Sequence, residues 1–288
     1  MSLIIVGGSQ RSGTSATQQL LCQLPEANPY LYEASFLRMQ VACYADAKAS
    51  FSNNHASYFG DMLQLRNFQA GVVSAFLDHT TRIHGNCEHL ILKEPHLTMY
   101  WPDLYELVPD VWFLMMIRDP RDVIASMIQV GERQKQLGQD YMFTDRNIRR
   151  LCEHFVAFYR PSFEVTDADF RDRLAVLHYE NVVNDPRTAL EQIAGFTGIS
   201  FDSVDPGESP DHGMVDQDVI SGSRHFQPWA TEVNGKQITP SRIGRYQEVL
   251  TQEETRLVEE YCADYFEWFG YSRQAHESTL ATAQMGEI

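Results

Sequence analysis

Residues 3–15 read Leu-Ile-Ile-Val-Gly-Gly-Ser-Gln-Arg-Ser-Gly-Thr-Ser, and this stretch decides the fold. An apolar run, a glycine-rich turn and a following helical pattern predict a strand–loop–helix unit, in which backbone N–H groups and a helix N-terminus hold a phosphate. The spacing Gly8-x-x-x-x-Gly13 is that of a nucleotide-binding P-loop, but Thr14 stands where a nucleoside triphosphatase needs lysine. The loop is therefore expected to bind a phosphate group without ordinary ATP or GTP chemistry.

The composition is that of a folded protein with an acidic surface. The 288 residues carry a net charge of −16, which argues against a broad nucleic-acid or anionic-membrane surface and otherwise serves solubility. Five scattered cysteines without a C-x-x-C pair favour reduced thiols in a cytoplasm over a disulfide framework or a zinc site. We see no secretory signal and no apolar run of the roughly 20 residues that span a bilayer. We therefore expect a cytoplasmic protein without a membrane span.

Short apolar runs alternate with helical patterns along the chain. The runs lie at residues 3–6, 90–92, 111–117 and 174–178. This alternation predicts an α/β fold with a central parallel sheet covered by helices on both faces. Helices are predicted within 14–86 (most clearly 58–83) and at 123–128, 151–163 and 189–196, and in one helix after residue 251.

A capping box, Thr251 to Glu254, is predicted to start that last helix. Two polar stretches, 131–144 and 200–240, are predicted to be irregular loops. We expect a single domain over residues 1–271 and a loosely held tail over 272–288.

A second motif follows the third apolar run. It reads Arg118-Asp119-Pro120-Arg121-Asp122, with Ser126 eight residues after the first arginine. Because ligands of open α/β sheets bind at the carboxyl ends of the strands, Arg118 is expected beside the first loop. Ser126 follows about two helical turns later, on nearly the same line. An arginine and a hydroxyl placed together would form a pocket for a second phosphate, whereas the alternative is a helix-start Arg–Asp ion pair and a surface serine.

The two motifs together resemble those of sulfotransferases that use 3′-phosphoadenosine 5′-phosphosulfate (PAPS). In that family the first motif holds the 5′-phosphosulfate and the second holds the 3′-phosphate. Tyr179-Glu180-Asn181 resembles the segment near the adenine, and 241–246 resembles a late loop that closes over the nucleotide. The resemblance runs from residue 3 to about 271, is closest to the bacterial and tyrosylprotein-type branch, and implies a P-loop-like sulfotransferase fold. The donor-binding residues that it implies are Arg11, Ser12, Gly13, Thr14, Ser15, Arg118, Ser126, Tyr179, Arg242 and Arg245.

The resemblance also implies the reaction, a direct in-line transfer of a sulfuryl group from PAPS to an acceptor hydroxyl, leaving 3′-phosphoadenosine 5′-phosphate (PAP). By analogy with phosphoryl transfer, such a reaction needs positioning and positive charge. Arg11 stands where relatives carry a basic residue, and Lys93 matches a Lys-x-Pro segment that supplies another cation. The alternative for Lys93 is an ion pair with Glu94 or another neighbour.

An acceptor hydroxyl needs a general base within hydrogen-bond reach. Glu33 lies about twenty residues after the loop, where heparan-type and tyrosylprotein-type relatives place a base glutamate. Two features depart from those relatives. Leu24 replaces the histidine of a His-Pro turn, and a single glutamate stands where the tyrosylprotein enzymes have a Glu-Glu pair. The competing bases are His96 and Glu94, because cytosolic members of the family use a histidine near their second strand.

Several alternatives stay open at this point. The chain could be a P-loop kinase or other nucleoside triphosphatase, or a non-catalytic nucleotide-binding protein. His154 and His178 are interpreted as ordinary helix and packing positions, and no metal-ligand pattern is found. Small-molecule, lipid, phenol, polyketide, carbohydrate and peptide-tyrosine acceptors all fit the motifs. The oligomeric state, and whether the acidic excess is an adaptation to salt, are not determined by the sequence.

Overall fold

The computed structural model describes residues 1–208 and 239–273. Its strands form one four-stranded parallel sheet in the order β2-β1-β3-β4. The strands are β1 Ser2–Gly7, β2 His89–Lys93, β3 Trp112–Ile117 and β4 Leu174–His178. In register, Val6 pairs with Lys93 on one side and with Leu114 on the other. The predicted parallel sheet is confirmed, and the loops that follow β1, β2 and β3 leave the same edge.

Both faces of the sheet are buried. Because successive side chains of a strand point to opposite faces, Leu3 and Ile5 join one apolar cluster while Ile4 and Val6 join the other. All four are at most 4% exposed. Two-sided burial explains why the strands are continuous apolar runs and not alternating ones.

The helices cover the two faces of the sheet. They are α1 Thr14–Leu21, α2 Ser35–Ala49, α3 Ala56–Phe59, α4 Met62–Ile83, α5 Trp101–Leu107, α6 Pro120–Gln136, α7 Ile148–Ala157, α8 Arg160–Glu164, α9 Ala168–Arg171, α10 Tyr179–Asn184, α11 Pro186–Thr197, α12 Tyr246–Val249, α13 Gln252–Tyr261 and α14 Ala263–Phe269. A π-helical turn spans Phe51–His55, and a 3-10 helix spans Pro95–Tyr100. No helix in the described ranges combines the length and apolarity that crossing a bilayer requires. The cytoplasmic location stays a prediction.

The helix after the second motif is longer than predicted. It begins at Pro120, capped by the Asp119 side chain, and continues to Gln136, so the first part of the stretch predicted as irregular is helical. Gly131 lies inside this helix, and glycine is needed there because a Cβ would collide with the carbonyl group of Phe143. Glycine costs about 1 kcal/mol in a helix interior, and here it allows a close approach of backbone that no other residue permits.

Two further elements differ from the predictions at their boundaries. The helix predicted over 151–163 is divided into α7 and α8, and the predicted final helix is divided at Cys262 into α13 and α14. The capping box of Thr251 and Glu254 is confirmed. Most of the stretch predicted to be irregular over 200–240, with His212, His225 and Trp229 in it, lies outside the described residues, as does the tail from residue 274 onward. The single-domain boundary at residue 271 stays a prediction.

Candidate active site

The loop between β1 and α1 has the backbone that a phosphate cradle needs. Gly8 and Gly13 have φ values of 124° and 100°, and Arg11 adopts the left-handed value of 74°. The Gly8 N–H donates to Thr98 Oγ1 at 2.7 Å, and the Ser9 N–H donates to the Tyr159 hydroxyl at 3.0 Å. Hydrogen bonds to neighbouring elements thus fix the position of the loop. Among the described residues no side chain caps the N-terminus of α1, which leaves this end of the helix to favour an anion.

Arg118 emerges from the end of β3 and crosses to both neighbouring loops. Its Nη1 donates to the Arg11 carbonyl at 3.1 Å, and its Nη2 donates to the Arg242 carbonyl at 2.5 Å. The guanidinium carbon lies 4.4 Å from the centre of the Tyr179 ring. Its Nε is buried and has no hydrogen-bond partner among the described residues. A buried donor without a partner is costly, so this atom is suited to an anionic ligand oxygen.

Positive charge is concentrated around this point. Arg11 Nε donates to Ser126 Oγ at 3.0 Å. Burial, together with the nearby charges of Arg118, Arg133 and Arg242, lowers the pKa of Arg11 to about 10. Burial and Arg242 also lower the pKa of Arg133. Like charges brought together in a partly buried place favour the binding of a polyanion.

These residues border a cavity of about 540 Å³. The predicted donor-binding residues that line it are Arg11, Gly13, Thr14, Ser15, Arg118, Ser126, Tyr179, Arg242 and Arg245. Ser12 does not line the cavity, because its buried hydroxyl donates to the Ser9 carbonyl at 2.7 Å and stabilises the loop from within. The structure therefore brings together all but one of the positions that the resemblance implied for the donor.

The cavity also has lining residues that the sequence did not indicate. Gln129, Arg133 and Gln136 follow Ser126 on α6 at intervals of three or four residues, which places them on one face of the helix. The signal was available in this spacing. It was missed because the helix was predicted to end at residue 128.

The late loop is attached to the start of α6 by one carboxylate. Asp122 accepts the N–H of Gly244 at 2.8 Å and the N–H of Tyr246 at 2.9 Å, and lies 3.6 Å from Arg118. Burial raises the pKa of this carboxyl group, against the opposing effect of Arg118 and the two N–H donors. This attachment brings Arg242 and Arg245 to the rim of the cavity.

The predicted cation and the predicted base lie together at the end of β2. Lys93 Nζ donates to Glu33 Oε1 at 3.1 Å and to Ser15 Oγ at 3.3 Å. The ion-pair partner of Lys93 is thus Glu33, while Glu94 lies elsewhere. Glu33 also lies within electrostatic reach of Tyr141, whose pKa is raised by burial and by this carboxylate. The contact with Ser15 joins the pair to the phosphate loop.

His96 and Glu94 belong to a separate polar chain. Glu94, 2% exposed, accepts the backbone N–H of His96 at 3.1 Å and lies 3.5 Å from its Nδ1. Gln10 Nε2 lies 3.4 Å from His96 Nε2, and Gln10 Oε1 lies 3.0 Å from His154 Nε2. The Glu94 carboxylate is therefore engaged as the cap of the 3-10 helix. His96 is linked to the phosphate loop through Gln10.

His154 lies on α7, as the sequence indicated, and its ring also contacts the phosphate loop through Gln10. Burial, followed by the charges of His96 and Arg150, lowers its pKa to about 4. The ring is therefore neutral at pH 7 and donates from Nε2 to the amide oxygen of Gln10. His178 packs against the ring of Tyr271, with ring centroids 5.4 Å apart, which agrees with its interpretation as a packing position. Within the described ranges no group of three or more His, Cys, Asp or Glu side chains is arranged to hold a metal ion.

Known proteins share both the sequence pattern and the fold. The model of the Sulfotransferase family matches residues 3–203. A putative protein-tyrosine sulfotransferase from Caenorhabditis briggsae is 25% identical over 211 residues, which cover 69% of this chain and 66% of the relative. Protein-tyrosine sulfotransferase 2 from Gallus gallus is 25% identical over 202 residues, covering 70% and 52%. The chain thus spans about half to two thirds of the length of these curated relatives.

A solved structure extends the comparison of the fold. The sulfotransferase domain of the Synechococcus PCC 7002 olefin synthase superposes with a TM-score of 0.54 at 17% identity, covering 91% of this chain and 94% of that one. At this identity the likeness concerns the fold alone. It agrees with the P-loop-like architecture expected from the sequence.

Proposed function

Because the chain belongs to the sulfotransferase family, we propose that it transfers a sulfuryl group from PAPS to an acceptor hydroxyl. The observation that carries this proposal is the convergence of Arg11, Arg118 and Arg242 on one cavity beside a P-loop without its lysine. A nucleotide with phosphate groups at both the 5′ and 3′ positions matches such a distribution of charge.

The cavity suits this donor in size and chemistry. Its volume of about 540 Å³ lies in the range of small-molecule sites. Residues of the loop and the start of α1 would hold the phosphosulfate, and Arg118 with Ser126 would hold the 3′-phosphate. Tyr179 would face the adenosine. The bound donor would supply an activated sulfuryl group whose leaving group is PAP.

The proposed roles of the residues follow from their contacts. Glu33 would accept the proton of the acceptor hydroxyl, because its side chain is 49% exposed at the edge of the site while one oxygen is held by Lys93. Lys93 and Arg11 would stabilise negative charge that develops on the transferring and leaving groups. His96 is the alternative base, although its Nε2 already lies beside the amide of Gln10. Lys93 contacts both Glu33 and Ser15, so it holds the Glu33 carboxylate close to the loop, and this favours Glu33 as the base.

The surroundings of Glu33 favour an aromatic acceptor. Tyr32 and Phe36 are 40% and 47% exposed, and Phe36 packs against Phe76 with ring centroids 5.2 Å apart. These aromatic residues of the adjoining chain segment, with Tyr141 within electrostatic reach of Glu33, suit a phenol or a tyrosine side chain. The net charge of −16 disfavours polyanionic carbohydrates. The two curated relatives are named for protein tyrosine, and a tyrosine-containing peptide is one of the proposed acceptors.

Calorimetry with PAP and a transfer assay with ³⁵S-labelled PAPS test the proposal. We expect PAP to bind, and labelled sulfate to appear on an acceptor from a panel of phenols, tyrosine peptides and sugars. An absence of PAP binding would overturn the proposed donor. Hydrolysis of ATP would favour the triphosphatase alternative, and PAPS that binds without being consumed across the panel would favour a non-catalytic nucleotide-binding protein.

A further inference from the structure

One face of α6 borders the cavity well beyond the serine of the second motif. Ser126, Gln129, Arg133 and Gln136 all line it. At a rise of 1.5 Å per residue, Arg133 begins about 10 Å farther along the helix axis than Ser126. The second motif, which extends only to Ser126, therefore describes one end of this wall of the cavity.

The arginine and serine of the second motif are already engaged with protein atoms. Arg118 uses Nη1 and Nη2 on the carbonyl groups of Arg11 and Arg242, which leaves Nε as its buried donor without a partner among the described residues. Ser126 Oγ accepts from Arg11 Nε. A phosphate monoester presents three terminal oxygens with about two negative charges at pH 7, and it takes several charge-assisted hydrogen bonds. This pair alone offers few donors for such a group.

Arg133 adds a further guanidinium to the arginines that line this cavity. Its charge acts on Arg11 and is itself acted on by Arg242, so that the three arginines are within electrostatic reach of one another. The adjacent carboxylate of Glu132 is 56% exposed and pairs with Arg146 at 3.2 Å. A dianion in the cavity would relieve the repulsion among Arg11, Arg133 and Arg242.

We propose that Arg133, together with Arg242, binds the 3′-phosphate of the nucleotide and makes the site select donors that carry this phosphate. The inference rests on the proposed function, because it assumes that the cavity takes PAPS. It assigns donor selectivity to a residue outside the family motifs recognised in the sequence. Arg133 acts in this role by binding, and the proposal gives it no part in moving the sulfuryl group.

Calorimetry with two nucleotides tests the role of Arg133. PAP and adenosine 5′-monophosphate (AMP) differ only in the 3′-phosphate. For Arg133→Gln we expect the Kd of PAP to rise about 10- to 100-fold, the loss of one charge-assisted pair, while the Kd of AMP changes less than about threefold. Retained AMP binding also shows that the variant is folded. Arg133→Lys keeps the charge but loses the planar guanidinium, so its Kd for PAP is expected to lie between those of the wild type and Arg133→Gln.

Arg149→Gln is the matched control, because it removes one positive charge from an exposed side chain of α7, 67% accessible and paired with Glu153. It is expected to leave both dissociation constants unchanged. Equal weakening of PAP and AMP by Arg133→Gln would overturn the inference and indicate a general electrostatic effect. Unchanged PAP binding would overturn it as well. If the wild-type protein binds no PAP, both the proposed function and the inference fail; if it does and Arg133→Gln retains the selectivity, only the inference fails.

Discussion

The ammonium group of Lys93 lies 3.1 Å from the carboxylate of Glu33, across a separation of 60 residues in the chain. The lysine side chain is 5% exposed and the glutamate side chain is 49% exposed. The same ammonium group donates to Ser15 in the first turn of α1. Lys93, at the end of β2, therefore connects the proposed proton acceptor Glu33 to the start of α1.

Replacing Glu33 with glutamine tests the proposed base. The amide keeps the size of the side chain but does not accept a proton, so we expect kcat to fall about 10²- to 10⁴-fold with the Kd of PAP nearly unchanged. Steady-state transfer assays and calorimetry measure the two quantities. Glu26→Gln, at an exposed carboxylate between α1 and α2, is the control and is expected to behave as wild type. Full turnover by Glu33→Gln would transfer the role to another residue, with His96 as the next candidate.

Replacing Lys93 with methionine tests the proposed cation. Methionine fills a similar buried volume without the charge, so we expect kcat to fall about 10²- to 10³-fold through the loss of electrostatic stabilisation. Thermal denaturation should show a small change, because the Glu33 carboxylate left behind remains half-exposed to water. Lys48→Met is the control; that lysine pairs with Asp103 and Glu106 away from the loop. A kcat equal to wild type would limit Lys93 to a structural ion pair.

A Cβ at Gly13 should disturb the contact between the loop and Tyr179. Gly13 has a φ of 100°, and a Cβ there would lie 2.5 Å from Cδ2 of Tyr179. Gly85 also has a positive φ, 74°, but a Cβ there would meet open space. We expect both alanine variants to lose about 1–2 kcal/mol of stability for the backbone conformation. Only Gly13→Ala should weaken PAP binding, by at least about tenfold. Chemical denaturation and calorimetry separate these effects, and equal PAP affinities would contradict the expectation.

His154 should make the stability of the protein depend on pH in the acidic range. Its pKa is about 4 in the folded state, against about 6.5 in an unfolded chain, so the unfolded chain binds more protons between these values. The free energy of unfolding therefore decreases as the pH falls from about 6.5 to about 4. His154→Gln keeps an N–H donor for Gln10 and removes the titration, and should flatten this dependence.

Urea denaturation at pH 7, 6, 5 and 4 measures the slope of the free energy of unfolding against pH. His79→Gln serves as the control, because His79 is exposed on α4 and should leave the slope as in wild type. The same slope in wild type and His154→Gln would show that the acid sensitivity arises elsewhere.

The predictions from sequence were most accurate where the structure depends on local pattern. The strand expected over 174–178 has those boundaries, and the capping box at Thr251 forms as expected. The helix after Arg118 was predicted too short, because Gly131 and the polar residues after it resemble a loop. Glycine at 131 is explained by its close approach to Phe143, a contact that the residue pattern does not contain.

In the candidate site, too, the residues that were predicted depend on local pattern, and those that were missed depend on tertiary packing. The loop, Arg118, Ser126 and Tyr179 were indicated because motif spacing reflects how a strand end meets a helix start. Arg133 was missed together with the end of its helix. The position of His154 on a helix was predicted, but its contact with Gln10 was not, because the two residues are 144 positions apart in the chain.

The sequence by itself determined a parallel α/β sheet and a phosphate loop, because strand burial, glycine conformation and helix starts depend on residues that are close in the chain. Only the tertiary structure decided that Lys93 pairs with Glu33, that Asp122 attaches the late loop, and that Arg133 reaches the cavity. These relationships depend on burial and on electrostatic interactions between groups that are brought together by folding. Distances between such groups follow from the packing of whole elements, and neither composition nor spacing specifies them.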